Sequence, residues 1–105
     1  MKVFISQKMR GKTNDEIIKI REKIVEKFHI SDDELIDNLS MGAEYKNFNN
    51  IELLGISIQL MGRADLVLMP KMIALPQETF NGIMVEREVA TRYGIPIIFY
   101  DEEEL

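Results

Sequence analysis

Leu66-Val67-Leu68-Met69 is the stretch that decides the fold, because four apolar residues follow one another without alternation. Such a run is typical of a strand whose two faces are both buried, as in the middle of a parallel sheet covered by helices. Helical spacing of apolar residues precedes it over about residues 50–62 and follows it over residues 81–94. The stretch therefore predicts the central strand of an α/β protein.

Further segments on either side complete an alternation of strands and helices. Residues 2–6 and 95–100 are short stretches rich in β-branched and aromatic residues, which favours strands. Thr13 and Glu16 have the spacing of a capping box, so a helix is expected to begin there. A second strand is expected over residues 34–37, although only Leu35 and Ile36 support it.

This alternation implies parallel strands joined by right-handed crossovers. The predicted fold is α/β, with a three-layer parallel sheet, helices on both faces and a strand order of about 2-1-3-4, as in a shortened flavodoxin-like or Rossmann-like arrangement. Ligands of such sheets bind beyond the carboxyl ends of the strands, where the strand order reverses. Here that crevice is expected where residues 6–13 and 70–82 meet.

Composition narrows the class of protein. The 105 residues suffice for a single domain over residues 1–105, and the net charge of −5 disfavours binding to nucleic acid polymers or anionic membranes. No apolar run approaches the length of a membrane span. The absence of cysteine excludes disulfides and thiolate metal sites, so a cytoplasmic protein is expected. With one histidine and no calcium-loop spacing, neither a metal nor another cofactor is expected.

Glu86 is the most informative single residue, because it falls on the apolar side of its helix. The predicted stripe contains Val85, Val89, Ala90 and Tyr93, and Glu86 lies three and four residues before its middle members. A carboxylate aimed at a core is costly unless it is paired, hydrogen-bonded or used in chemistry. A position near the helix start would also favour negative charge. Glu86 is therefore a candidate functional residue.

The loop after the first strand and the helix over residues 50–62 hold further candidates. Arg10, Gly11 and Lys12 lead into a helix N-terminus, where backbone N–H groups and two cations would suit an anion. A capped helix with two solvated cations explains the same residues equally well. Ser57 falls on the inward face of its helix, where a hydrogen bond to a carbonyl one turn earlier is the more frequent role.

Three segments also carry a family resemblance: residues 1–13 (MKVFISQKMRGKT), residues 54–61 (LGISIQLM) and the pair Ala64-Asp65. Through them the chain, over nearly its whole length, resembles a small bacterial and phage protein family. That family is similar to the nucleoside 2-deoxyribosyltransferases and the related deoxynucleoside-monophosphate N-glycosidase. The resemblance implies a nucleoside 2-deoxyribosyltransferase-like domain.

The resemblance assigns roles to particular positions. The enzymes have Gly four residues before a catalytic Glu and Ala four residues after it, and Gly82, Glu86 and Ala90 fill those positions here. Glu86 is thereby implied as the nucleophile. Asp65 matches an aspartate of the enzymes, but the aspartate that they carry eight residues earlier is Ser57 in this chain.

The resemblance also implies a ligand-binding set around Glu86. By position, Ser6, Arg10 and Gly11 would hold a 5′-phosphate. The other expected ligand-binding residues are Ser57, Asp65, Asn81 and Gly82. An acid toward the departing base is not singled out, and three carboxylates are candidates by default: Asp65, Glu78 and Glu44.

Three functions remain open at this point. The first is an enzyme that cleaves or transfers the N-glycosidic bond of a (deoxy)nucleoside or its 5′-monophosphate through Glu86. The second is a noncatalytic nucleotide-binding module, in which Ser57 marks lost chemistry. The third is a structural, oligomeric protein in which Glu86 pairs with Arg10 or another cation.

Self-association is expected as well. The helix over residues 50–62 is apolar on more than one face, which exceeds the needs of a monomer's core. The excess is carried by seven residues: Ile51, Leu53, Leu54, Ile56, Ile58, Leu60 and Met61. We therefore expect a homo-oligomer, at least a dimer, formed through this helix.

Overall fold

A parallel sheet lies at the centre of the computed structural model, which describes residues 1–9, 11–39, 47–71 and 81–105. Its three strands in these residues are β1 (Val3–Ile5), β2 (Leu66–Pro70) and β3 (Ile97–Tyr100), in the spatial order β1-β2-β3. Both neighbouring pairs are parallel. The predicted central position of β2 is confirmed, and Val67, Leu68 and Met69 are fully buried.

Three α-helices alternate with the strands in the described residues, together with one turn of 3-10 helix at the end of the chain. They are α1 (Asn14–Lys27), α2 (Asn50–Met61) and α3 (Asn81–Arg92), followed by Glu102–Glu104. The capping box predicted from Thr13 and Glu16 is present at the start of α1. The sequence pattern thus located the start of α1 and both ends of α2 and α3 to within about two residues.

The helices cover both faces of the sheet, because successive strand residues point to opposite sides. Val3, Ile5 and Leu68 pack with Ile24 of α1 on one face. On the other face, α2 and α3 join a second core cluster, which contains Phe4, Met61, Val67, Met69, Ile83 and Ala90. The sheet and its two helical layers therefore fix which side of β1 faces α2 and α3.

The second strand expected over residues 34–37 does not form. Leu35 makes only an isolated parallel bridge with Val3, whose N–H donates to the Glu34 carbonyl at 2.8 Å. The Val3 carbonyl in turn accepts from the N–H of Ile36 at 2.9 Å. One bridge is the whole of this pairing in the described chain, so the sheet has three strands there rather than the four predicted.

Beyond this bridge, side chains rather than backbone N–H groups bond the carbonyls that a longer strand would use. The carbonyl of Ile5, the next acceptor on this edge of β1, receives the Nδ2 amide of Asn38 at 3.3 Å instead of a backbone N–H. The carbonyl of Ile36 accepts from Nη2 of Arg21 at 2.8 Å. Once side chains satisfy these backbone groups, a longer edge strand gains little.

The buried face of α3 also differs from the predicted stripe. Val85 is 40% exposed and Tyr93 is 80% exposed, although both were expected to face the core. The buried residues of the helix are Ile83, Glu86 and Ala90. These three follow the same helical spacing with a small rotation, and the rotation places Glu86 in the middle of the buried face.

Candidate functional site

An open cleft of about 850 Å³ lies at the carboxyl end of β1. Its wall is formed by the chain that leaves β1, by the segment with Asn38 and Leu39, by α1 and α2, and by the start of α3. Its polar lining includes Ser6, Gln7, Asn38, Ser57 and Glu86. Its apolar lining includes Ile17, Ile18, Leu39, Leu53, Leu54 and Ile83. The cleft has the size and the mixed lining of a small-molecule site.

Glu86 is the acidic side chain among the described residues that line this cleft, and only 6% of the residue is exposed. Its Oε1 accepts a hydrogen bond from Oγ of Ser6 at 2.9 Å, and its Oε2 accepts one from Oγ of Ser57 at 2.8 Å. Each carboxylate oxygen has room for two hydrogen bonds, so each keeps one acceptor position. The two serines thus hold the carboxylate in place without using all of its oxygens' capacity.

Ser6 reaches Glu86 because of the alternation of side chains along β1. It follows Ile5 directly and shares the parity of Phe4, so its hydroxyl points to the face covered by α2 and α3. Two hydrogen bonds hold the backbone of Ser6. Its N–H donates to the Leu68 carbonyl at 2.7 Å, and its carbonyl accepts from the Tyr100 hydroxyl at 2.7 Å. Burial raises the pKa of Tyr100, which keeps that hydroxyl a donor.

Ser57 lies on the face of α2 that is turned toward α3. The sequence favoured a hydrogen bond from this side chain to a carbonyl one turn earlier, but its hydroxyl donates to Glu86 instead. The acceptor is a carboxylate, and hydrogen bonds to charged acceptors are stronger than those to neutral ones. Leu53 and Leu54, one turn before Ser57, line the cleft beside it.

The protonation of Glu86 is governed by two opposing effects. Burial raises the pKa of Glu86, while the hydrogen bonds from Ser57 and Ser6 lower it, and burial is the larger effect. The helix dipole expected from the sequence adds little, because Glu86 is the sixth residue of α3 and the dipole effect fades beyond the first turn. No cation among the described residues pairs with this carboxylate.

A second polar group, behind the loop after β1, was not identified from the sequence. Gln7 donates from Nε2 to the carbonyl of Ile17 at 3.1 Å and accepts from Nη1 of Arg21 at 3.3 Å. Arg21 is buried, and this burial lowers the pKa of its guanidinium, with the charge of Asp37 acting in the opposite direction. The sequence did indicate that Arg21 is buried, because it lies four residues after Ile17 on the apolar side of α1.

Asn38 is the other cleft residue that the sequence did not indicate. It is 6% exposed, and Nδ2 donates to the carbonyl of Ile5. Its Oδ1 is shielded from solvent and has no hydrogen-bond partner in the described structure. An isolated asparagine in a polar stretch carries no sequence pattern that would have singled it out.

Several of the predicted site residues do come together. Ser6, Ser57, Gly82 and Glu86 all line the cleft. Gly82 lies at the start of α3, four residues before Glu86, and brings the backbone close to Leu54. These four residues come from β1, α2 and α3, which meet only in the folded chain.

Other predicted ligand-binding residues lie elsewhere. Asp65 accepts from the backbone N–H of Lys2 at 2.7 Å, at the amino end of the sheet. Because Lys2 and Ser6 are four residues apart, the strand separates Asp65 from the cleft by roughly 13 Å. Asn81 and Gly11 are exposed and do not line the cleft. Asp65 is therefore a poor candidate for contact with a ligand held by Glu86.

The anion site proposed for the loop before α1 is only partly described. Lys12 forms an ion pair with Glu102, so its charge is already engaged. Gly11 has a φ of +81°, a left-handed conformation that suits glycine and lets the chain turn into α1. Arg10, Glu44 and Glu78, which the sequence also singled out, lie outside the described residues.

Two general classes of site find no support in the described ranges. No group of three or more His, Cys, Asp or Glu side chains there is arranged to hold a metal ion. None of the helices in those ranges combines the length and the apolar character that crossing a membrane requires.

Comparison of the chain with protein-family models, curated proteins and solved structures gives no match. The function must therefore be argued from the cleft itself.

Proposed function

We propose that this protein binds a nucleoside or nucleotide in the cleft and cleaves or transfers its N-glycosidic bond, with Glu86 as the nucleophile. The observation that carries the proposal is the Glu86 carboxylate, which is buried at the cleft wall and held by two hydroxyl donors without a cationic partner in the described chain. A buried carboxylate with a purely structural role is expected to have a cation beside it, and Glu86 has none among the described residues. Perturbed carboxylates that line a cleft are more often functional.

The chemistry follows from the geometry of Glu86. One oxygen of the carboxylate attacks C1′ of the sugar as the bond from C1′ to the base nitrogen breaks, and the departing base takes a proton. Water, or the nitrogen of a second base, then attacks C1′ and releases the carboxylate. Ser6 and Ser57 orient the two oxygens, and by hydrogen bonding they favour the ionised, nucleophilic form.

The cleft suits the two parts of such a ligand. Its apolar side chains, among them Ile17 and Leu39, offer surfaces for the faces of a base. The polar group of Ser6, Ser57 and Glu86 offers partners for the sugar. In this proposal Ser6 positions the carboxylate and does not hold a phosphate, because its hydroxyl is already bonded to Glu86.

The proposal includes the finer fold, a flavodoxin-like arrangement in which the segment around Leu35 takes the place of the second strand in the order 2-1-3-4. The bridge between Leu35 and Val3 supports it, because this bridge lies on the edge of β1 opposite β2, where the second strand of that order belongs. In such sheets the ligand lies at the carboxyl ends of the strands, which is where the cleft opens. We take the protein to be cytoplasmic, as its lack of cysteine predicts.

A noncatalytic nucleotide-binding module is the second candidate. Glu86 is the only carboxylate among the described residues that line the cleft, and Ser57 occupies the position where the resembling enzymes carry an aspartate. Without a second acid, protonation of the departing base must come from water or from the ligand itself. Binding without turnover is the outcome that this arrangement would favour if that proton is not supplied.

The decisive experiment measures free base. The purified chain is incubated with deoxynucleosides and their 5′-monophosphates, and released base is separated and quantified by chromatography. If the protein is an enzyme, the rate of base release should fall at least a hundredfold in Glu86→Gln and should be unchanged in Glu88→Gln. Glu88 is a matched control, since it lies on the same helix, is exposed and pairs with Arg92.

The same assay separates the two candidate functions. Equal release by the wild-type chain and Glu86→Gln would reject the enzyme. Absence of release, together with a nucleotide-dependent rise in melting temperature, would support the noncatalytic module, because a ligand that binds only the folded state stabilises it. In that case Ser57→Asp, which restores a carboxylate beside Glu86, tests whether the missing acid is the cause.

We also propose that α2 forms a homodimer or larger oligomer. Ile51 is 82% exposed, and only Met61 of this apolar helix is buried in the described chain. Light scattering of the purified protein should give at least twice the mass of 12.2 kDa, and Ile51→Lys should lower it. A monomeric mass at working concentration would reject this part of the proposal.

A further inference from the structure

We infer that the ligand of this cleft is a nucleoside or nucleotide whose base carries an apolar substituent, and that this substituent packs against Met9 and Ile18. The inference rests on the proposed function and narrows its substrate class. Its starting point is that both side chains line the cleft although Met9 is 42% exposed and Ile18 is 46% exposed. We call this pair the apolar mouth of the cleft.

The position of the apolar mouth sets it apart from other exposed apolar residues of the chain. Single apolar side chains on a protein surface are common and need no explanation. Met9 and Ile18, however, border the same open space as the buried Glu86. A ligand that extends from Glu86 to the mouth would remove both apolar side chains from water, which favours binding.

Two hydrogen bonds place the members of the apolar mouth on one wall of the cleft. Gln7, two residues before Met9, donates from Nε2 to the carbonyl of Ile17 at 3.1 Å. Ile17 directly precedes Ile18 in α1. The carbonyl of Met9 accepts from the N–H of Lys12 at 3.1 Å, in the turn that leads into α1. The loop after β1 and the first turns of α1 thus form a single wall.

Glu86 belongs to the opposite wall. Helix α1 packs on one face of the sheet, whereas α2 and α3 pack on the other, and all three helices line the cleft. When Glu86 attacks C1′, the departing base lies on the far side of C1′ from the carboxylate. The base is then directed toward the wall that carries the apolar mouth, so a substituent on its outer edge reaches Met9 and Ile18.

The cleft also has room beyond an unmodified base. Its volume of about 850 Å³ lies in the upper part of the range of about 300–1,000 Å³ that is usual for pockets holding drug-sized ligands. The apolar side chains of the lining other than the mouth are buried or half-buried, and they are Ile17, Leu39, Leu53, Leu54 and Ile83. These can serve the base itself, which leaves the apolar mouth for the substituent.

The test lengthens the substituent while the rest of the ligand stays the same. One series is 2′-deoxyadenosine with hydrogen, methyl, ethyl or propyl on N6, and the other is 2′-deoxyuridine with the same groups on C5, each also as its 5′-monophosphate. Calorimetric titrations use the full chain carrying Glu86→Gln, so that bound ligand is not consumed. Burial of one methylene raises affinity about threefold, so we expect a gain of about tenfold or more from hydrogen to propyl in at least one series.

Variants at the mouth assign that gain. Met9→Gln and Ile18→Gln replace an apolar end by an amide, and together they are expected to abolish the gain. Met84→Gln and Ile98→Gln are matched controls, because these residues are 40% and 44% exposed and lie outside the cleft lining. The controls should retain the gain. All four positions are exposed, so each variant is expected to fold, which thermal unfolding checks.

The outcomes separate this inference from the proposed function. If unmodified nucleosides or nucleotides bind but neither series gains affinity, the inference is wrong and the proposed function stands. A gain that survives in the Met9→Gln, Ile18→Gln double variant overturns it as well. So does a lower mass of Ile18→Gln in light scattering, because a second copy of the chain would then cover the mouth. If no ligand of either series binds the wild-type chain, the proposed function fails and the inference fails with it.

Discussion

Replacing Glu86 by glutamine tests whether its charge belongs to the fold or to the cleft. Glutamine has nearly the same volume, so packing around the buried position is kept. Its oxygen accepts from one serine, and its Nε2 donates to the other serine, whose hydroxyl turns to accept. The substitution thus removes the charge from a site that is 6% exposed while keeping two hydrogen bonds.

We expect Glu86→Gln to raise the free energy of unfolding at pH 8 by about 1 kcal/mol. Two bonds to a charged acceptor, each worth roughly 1.5–3 kcal/mol, become neutral bonds worth about 1 kcal/mol each. Against that loss, the cost of burying a charge disappears. Burial outweighs the hydrogen bonds in its effect on the pKa of Glu86, so the net change is stabilising. Each unit by which the folded-state pKa is raised corresponds to about 1.4 kcal/mol.

The pH dependence follows from the same shift. Because folding raises the pKa of Glu86, its contribution to stability is fully present below the ordinary glutamate pKa of 4.5 and is lost as the pH rises through the folded-state pKa. Below pH 4.5 both chains are neutral at this position and should unfold alike. Urea unfolding followed by circular dichroism between pH 4 and pH 8 measures the difference directly.

A specific result would refute this reasoning. If Glu86→Gln is less stable than the wild-type chain at pH 8 by 1 kcal/mol or more, the carboxylate has a stabilising partner and Glu86 is a structural residue. Glu88→Gln serves as the control, because this exposed carboxylate on the same helix should change stability by less than about 0.5 kcal/mol at either pH.

Three further substitutions test the contacts that build the site. Ser57→Ala removes one donor from Glu86 and should raise the pKa of that carboxyl further. Carbon-detected NMR would then show the carboxyl titrating at a higher pH than in the wild-type chain. Tyr100→Phe leaves the buried carbonyl of Ser6 unpaired and should cost about 1–2 kcal/mol in urea unfolding; an unchanged midpoint would mean that the carbonyl finds another donor. Thr13→Ala deletes the cap of α1 and should cost about 1 kcal/mol without affecting ligand binding, so a loss of binding would place the cap in the site.

The sequence predicted part of the site because part of it follows local periodicity. Glu86 was found from its place on an apolar helix face, and Ser57 from its inward position on α2. The exact buried face of α3 was wrong by a small rotation, since Val85 and Tyr93 are exposed. Periodicity cannot fix such a rotation, because several neighbouring stripes on one helix have similar apolar content.

The other misplacements arise from contacts between distant segments. Asp65 precedes β2 and therefore lies at the amino end of a parallel sheet, whereas Ser6 follows β1 at the carboxyl end. Residues 34–37 form a single bridge rather than a strand, and side chains of Asn38 and Arg21 bond the carbonyls of Ile5 and Ile36 beside that bridge. The amino-end position of Asp65 already follows from the predicted parallel strand that begins at Leu66, and it conflicts with the role that the resemblance implied. The side-chain bonds beside residues 34–37, in contrast, are not visible in the local pattern.

The sequence by itself determined the central strand, the capping box at Thr13 and the approximate limits of the helices. Each depends on residues within about one or two turns of one another, so short-range spacing suffices. Only the tertiary structure decided what touches Glu86, because its two hydroxyl donors lie 80 and 29 residues away in the chain. Strand register and the packing of α2 against α3 bring those groups together, and they alone place Asn38 on the same cleft.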